Sequence, residues 1–172
     1  MIHFAFKRIL LADLPLLFCW FGQPHIAELW PEPKVWHEFE KKWIEKLETG
    51  FKFIASIDDK PIAYVQAYHV NDTDRKNFTD TSIPAHSIGL DLFIGDTAYL
   101  NKGYGGRLIE QFINMIKEIE PTCQAIIIDP ASDNHRAITC YEKVGFKKLG
   151  TYIMPYGTID GPGPIDLMIY KM

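Results

Sequence analysis

With 172 residues, of which 47% are hydrophobic and 23% charged, the chain is long enough to bury one sizeable core and too short for two full-sized domains, and its composition is that of a soluble globular protein rather than a disordered or fibrous one. A net charge of -4 brings no basic excess, which weighs against a nucleic-acid binder and favours a cationic partner. No apolar run reaches the roughly 18 residues that cross a bilayer, and residues 1–8 lack the pattern of a secretion signal, so no membrane partner is expected.

Three scattered cysteines, Cys19, Cys123 and Cys140, form neither a disulfide framework nor a Cys-x-x-Cys pair. A cytoplasmic location is the expectation. Six histidines show no metal-ligand spacing, so no metal is assigned.

In chain order, residues 3–7 read as a short strand, and Asp13 is placed to cap a helix running towards Trp20. After a Gly22-Gln23-Pro24 break, Val35, Trp36, Phe39, Trp43, Ile44 and Leu47 recur at helical spacing, which predicts an amphipathic helix over 34–48 ended by Gly50. Residues 51–57 and 61–69, rich in aromatic and β-branched side chains, flank Asp58-Asp59-Lys60 as a hairpin. Residues 70–86 have loop composition and are long for a plain connection.

A strand is predicted over 87–95, with Asp91 among apolar neighbours. Leu108, Ile109, Phe112, Ile113, Ile116 and Ile119 then mark a helix that stops before Pro121. Residues 123–128 read as a buried strand, 134–144 as a helix closed by Gly145, and 146–153 as another strand. A Gly/Pro-rich loop and a last strand over 165–170 complete a single mixed α/β (α+β) domain, residues 1–172.

Asn101-Lys102-Gly103-Tyr104-Gly105-Gly106 joins the Asp91 strand to the next helix. A helix start leaves about four backbone N–H groups without partners and carries partial positive charge. Glycines let a phosphate approach that backbone closely, and Lys102 and Arg107 add charge. The spacing alone fits a structural glycine turn equally well, since it matches neither the dinucleotide nor the nucleoside-triphosphate pattern.

Further along stands Asp129-Pro130-Ala131-Ser132-Asp133-Asn134-His135-Arg136-Ala137-Ile138-Thr139-Cys140-Tyr141-Glu142-Lys143-Val144-Gly145-Phe146. Asn134, Ala137, Tyr141, Lys143, Gly145 and Phe146 resemble the second signature of the GNAT superfamily, and the glycine turn resembles its pyrophosphate-binding first signature. Segments 25–30, 61–68, 89–91 and 128–130 are similar, in the same order, to the aminoglycoside 6'-N-acetyltransferases of that superfamily, over roughly residues 16–157.

That resemblance implies a mixed central sheet splayed open after the Asp91 strand, with acetyl-CoA as co-substrate in the cleft. It implies that backbone groups of Phe93 and Ile94 hold the pantetheine arm, that Lys102, Gly103, Tyr104, Gly105 and Gly106 bind the pyrophosphate, and that Asn134 contacts the cofactor. It makes Tyr141 the acid, Asp91 the carboxylate beside the reacting amine, and Asp129 and Trp30 parts of the amine pocket. Leu100 stands where the general motif carries Arg or Gln three residues before the first glycine. Residues 70–86 and 156–164 match poorly, and substrate choice is assigned to them.

An amine with a pKa near 10 is mostly protonated at pH 7, and an aspartate with a reference pKa of about 3.9 is a poor base for it. Asp91 is therefore expected to orient the amine and to accept its proton after attack, while strand N–H groups polarise the thioester oxygen and Tyr141 protonates the sulfur. The residues alone leave plainer roles open. Asp91 can also be a satisfied strand carboxylate, Tyr141 a core tyrosine, Asp129 a loop former before proline, and Trp30 and Trp36 core; Cys140 reads as a small buried hydrophobe rather than a nucleophile. The competing activities are acetylation of a polyamine or of a siderophore-type hydroxylamine, and a non-catalytic acyl-CoA-binding module.

Overall fold

The computed structural model describes residues 2–30, 32–72, 75, 78, 83–158 and 161–172, with 155–158 and 161 described by their backbone alone. The chain divides into two compact units, Met1–Ala67 with Leu92–Tyr104, and Tyr68–Asp91 with Gly105–Met172.

The first unit carries β1 (Ala5–Arg8), a 3-10 turn (Leu11–Asp13), α1 (Leu14–Phe21), α2 (Pro24–Ala27), α3 (Trp36–Leu47), β2 (Phe51–Ile57), most of β3 (Lys60–His69) and the end of β4 (Ser87–Ile94). β1 pairs antiparallel with β2 (Phe6↔Ala55), and β2 with β3 (Ile54↔Tyr64). Asp58 and Asp59 both take positive φ, 48° and 61°, the backbone of a tight hairpin turn that aspartate tolerates. Helix α3 buries Phe39 and Trp43, four residues apart on one face. These join Leu17, Phe21, Ile54 and Tyr64 in an apolar core.

Two local expectations change. Asp13 stands at the N-cap of α1 but makes no side-chain cap there; its Oδ2 accepts the Leu10 N–H at 2.9 Å and closes the 3-10 turn before that helix. Helix α2 was not foreseen, because four residues are too few to show a period; Pro24 starts it, and its Ile26 is buried.

The second unit holds the rest of β3 and β4, α4 (Tyr104–Ile119, from Gly105 on), β5 (Ala125–Ile128), α5 (His135–Val144), β6 (Lys147–Thr158) and β7 (Gly161–Lys171). β4 runs parallel to β5, with Ser87↔Ala125 to Gly89↔Ile127 in register. β5 pairs antiparallel with β7 (Ile126↔Tyr170), and β7 with β6 (Tyr152↔Ile165). Helix α4 buries Leu108, Ile109, Phe112, Ile113 and Ile116, the predicted stripe.

The backbone expected as a Gly/Pro-rich loop extends β6 and β7 instead, with Met154↔Gly163 and Thr158↔Gly161 paired. Gly89 is fixed by packing: a Cβ there would lie 2.3 Å from the Tyr68 ring. Eight of the 17 residues of the 70–86 segment lie outside the described residues.

The strands hydrogen-bond in the order β1-β2-β3-β4-β5-β7-β6. The β3 and β4 stretches of each unit meet within it, the Gly95 N–H donating to the Ile62 carbonyl at 2.8 Å in the first and the Val70 N–H to the Ser87 carbonyl at 3.0 Å in the second. This is the expected mixed α/β sheet, open and flanked by helices. Among the described residues no helix is long and apolar enough to cross a membrane.

Candidate active site

In the first unit the end of β4 supplies Phe93 and Ile94. The Phe93 ring packs against the core, 5.0 Å from Phe21 and 5.2 Å from Tyr64 between centroids. Trp30 packs on Phe21, Tyr64 and Phe93 at 5.7 Å each and is half-buried, so it is a core ring with one accessible side.

Beyond the strand, Asp96 accepts the Ala98 N–H at 2.9 Å and pairs with Lys60 at 2.7 Å, and these bonds hold its carboxyl below the usual range. The turn that follows is exposed from Asn101 to Gly103, with φ of 59° at Asn101 and 78° at Gly103. Lys102 stands on that exposed turn, and Tyr104, whose ring lies 4.9 Å from Tyr99, begins α4.

In the second unit, Gly105 and Gly106 belong to the first turn of α4 rather than to the loop, with Arg107 exposed beside them. A Cβ on Gly105 would sit 3.5 Å from Cys140 Sγ, and one on Gly106 3.7 Å from Val144 Cγ2, both ordinary contacts with α5. Asn134 is the N-cap of α5, its Oδ1 accepting the Ala137 N–H at 3.2 Å. At the other end Gly145, with φ of 115°, closes the helix as its sequence predicted.

The parallel pairing of β4 with β5 stops at Gly89, two residues before Asp91, and Asp91 to Ile94 are half-buried where Ser87 to Leu90 are buried. Tyr141 is 9% exposed, with Phe146 at 5.9 Å between ring centroids. Burial pushes its hydroxyl well above the ordinary tyrosine range, reinforced by Cys140 once that thiol ionises and by the negative potential of Asp91 and Asp129, and opposed by Arg136. Asp91, Asp129 and Tyr141 thus share one electrostatic neighbourhood. Burial also raises the Cys140 thiol, which keeps it protonated and unreactive.

Several groups at these places escaped the sequence reading. Gln23 Nε2 donates to the Gly95 carbonyl at 3.0 Å, and His25 Nε2 lies 3.1 Å from the Ile94 carbonyl, so the segment around α2 grips the end of β4. Asp166 in β7 is a buried carboxylate, and its position in an otherwise apolar strand was the same signal that drew attention to Asp91.

The model of the Acetyltransferase (GNAT) domain matches residues 10–154. Aminoglycoside N(6')-acetyltransferase type 1 of Klebsiella pneumoniae is 29% identical over 157 residues, 87% of this chain and 75% of its own length. The lysine N-acyltransferase MbtK of Mycobacterium sp. (strain MCS) is 27% identical over 170 residues, 91% of this chain and 68% of its own. Among solved structures, aminoglycoside acetyltransferase AAC(6')-Ib in complex with coenzyme A and kanamycin has a TM-score of 0.80 at 26% identity, covering 98% of this chain and 95% of that one. The chain is an acetyltransferase and belongs to the GNAT family.

Proposed function

We propose that the chain, acting over residues 1–172 as one acetyltransferase domain in the cytoplasm, transfers the acetyl group of acetyl-CoA to a primary amine of a small polycationic molecule, the 6'-amine of an aminoglycoside first among them. The observation that carries this reading is that the buried Tyr141 hydroxyl lies in the negative field of two carboxylates, Asp91 and Asp129. Two carboxylates suit a substrate with several ammonium groups, and a retained proton on Tyr141 suits a departing sulfur. The relatives named for aminoglycosides support the choice of amine.

The residues fit the co-substrate. An exposed turn in left-handed backbone, a helix start without β-carbons at Gly105 and Gly106, and the cations Lys102 and Arg107 make a seat for a pyrophosphate. Phe93 and Ile94 offer backbone groups to the pantetheine arm, and Asn134, whose Oδ1 caps α5, keeps its amide N–H groups for a cofactor contact. Bound acetyl-CoA supplies the acetyl thioester.

Asp91 holds the ammonium, orients the nitrogen and receives its proton at a carboxylate oxygen once the nitrogen is acylated. Asp129 adds a second carboxylate for the amine. Tyr141 directs its hydroxyl proton to the sulfur; with its pKa raised further from that of a thiol, it acts first as a hydrogen-bond donor to the developing thiolate and releases the proton only as charge builds there.

The test is thiol release from acetyl-CoA with kanamycin-type aminoglycosides bearing or lacking a free 6'-amine, with spermidine, and with lysine and hydroxylated lysine. Release that requires the 6'-amine supports the proposal. Release only with lysine or hydroxylated lysine would favour an acyltransferase for a lysine-type or hydroxylamine substrate, to which the similarity to the lysine N-acyltransferase MbtK points, and no release with any amine would favour a non-catalytic module.

A further inference from the structure

Asp166 has no part in the reaction described above, yet it is one of the few polar residues buried in the described structure, at 5% exposure between Ile165 and Leu167. Its Oδ1 accepts hydrogen bonds from two hydroxyls, Ser132 at 2.7 Å and Thr151 at 2.8 Å, and its Oδ2 meets Lys148 Nζ at 2.7 Å. The carboxyl is held below the usual range: its burial works the other way, and the bonds from Lys148, Ser132 and Thr151 prevail.

An ion pair of this kind, with its carboxylate buried and its ammonium on the exposed side, contributes little net stability, because desolvation of the carboxylate and solvent screening of the ammonium offset the attraction. What it does fix is geometry. Lys148 and Thr151 lie on β6, the neighbour of β7, whereas Ser132 lies in the connection from β5 to α5. Backbone bonds run along both links: β6 and β7 pair antiparallel with Thr151 opposite Asp166, and towards the connection the Asp166 N–H donates to the Pro130 carbonyl at 2.8 Å, the Ser132 N–H donates to the Pro164 carbonyl at 3.0 Å, and Ala131 bridges Ile165. The three residues that immediately follow Asp129 are therefore stitched to β7, with the Asp166 side chain closing the last stitch.

We propose that Asp166 is a positioning residue, which through Ser132 sets the Pro130–Ser132 connection and so aims Asp129 at the amine. The proposal rests on the assignment of Asp129 to the amine made under Proposed function. It separates two bonds that are alike in donor, acceptor atom and length. Losing the Ser132 hydroxyl removes the side-chain tie of the connection and leaves only its backbone bonds; losing the Thr151 hydroxyl leaves both.

The test compares Ser132→Ala with Thr151→Val, using thermal unfolding, kcat, and KM for the amine and for acetyl-CoA separately. Both variants should lose similar stability. Ser132→Ala should raise the amine KM about tenfold, a modest part of what a misplacement near 1 Å costs, while leaving the acetyl-CoA KM within about twofold, and Thr151→Val should leave both constants within about twofold. Equal amine KM values in the two variants would overturn the proposal and make Asp166 a fold element only. Asp129→Asn, measured alongside, tells the two readings apart: an unchanged amine KM removes Asp129 from the amine site and the positioning role with it, whereas a raised KM beside a normal Ser132→Ala removes the positioning role alone.

Discussion

Gly103 and Gly105 look interchangeable in the sequence, and the structure separates them. At Gly103, φ is 78° and an added Cβ would meet nothing within 4 Å, so alanine there costs only the left-handed conformation, about 1–2 kcal/mol. For a chain of this size about 1 kcal/mol moves Tm by roughly 2–4 °C, so Gly103→Ala should melt roughly 2–8 °C lower. Gly105 lies in the first turn of α4, and its Cβ would rest 3.5 Å from Cys140 Sγ. A Gly to Ala exchange inside a helix gains up to about 1 kcal/mol, so Gly105→Ala should melt at the same temperature or a few degrees higher. Both should bind acetyl-CoA more weakly, Gly103→Ala because the turn relaxes and Gly105→Ala because a methyl enters the helix start. Calorimetric unfolding and isothermal titration with acetyl-CoA read the two effects apart. If Gly105→Ala melts as low as Gly103→Ala, the packing argument fails; if both keep wild-type affinity, the turn is not the phosphate seat.

Tyr141→Phe keeps the ring against Phe146 and removes only the hydroxyl, so kcat should fall about 10²-fold or more with the amine KM little changed; a kcat within threefold would take Tyr141 out of the reaction. Because the folded state raises the Tyr141 pKa, its contribution to stability is complete below the unfolded value of about 10 and is lost as pH rises beyond it; alkaline unfolding should therefore be shallower in Tyr141→Phe. Asp166 has the opposite sign, since folding lowers its pKa. Its contribution is present above the unfolded value and is lost as pH falls through the folded one, so Asp166→Asn should flatten acid unfolding below about pH 4. Gly89→Ala would set a methyl 2.3 Å from the Tyr68 ring and should lose about 1–3 kcal/mol, which Tyr68→Ala in the same chain should partly restore; an additive double variant would refute the clash.

Much of the fold was legible because its signals are local. The stripe from Leu108 to Ile116, the break at Pro121, the Asp58-Asp59 hairpin and the Gly145 helix end each follow from residues within one or two turns of each other. Helix α2 was too short to show a period, Asp13 had two helical starts within reach, and the prolines and glycines of 154–164 read as loop although β7 pairs them with β6. In the candidate site, the chemistry of each side chain was written in the sequence, and its similarity to the GNAT signatures ordered Asp91, Tyr141 and the glycine turn into one scheme. Which glycine needs left-handed backbone, that the Phe93 ring is committed to a core, how far burial lifts the Tyr141 hydroxyl, and that Asp166 reaches across to Ser132 were decided only by tertiary structure. The physical reason is range. Propensity, capping and periodicity act between neighbours along the chain, whereas desolvation and hydrogen bonds such as the one joining Ser132 to Asp166 depend on what folding brings together from distant parts of it.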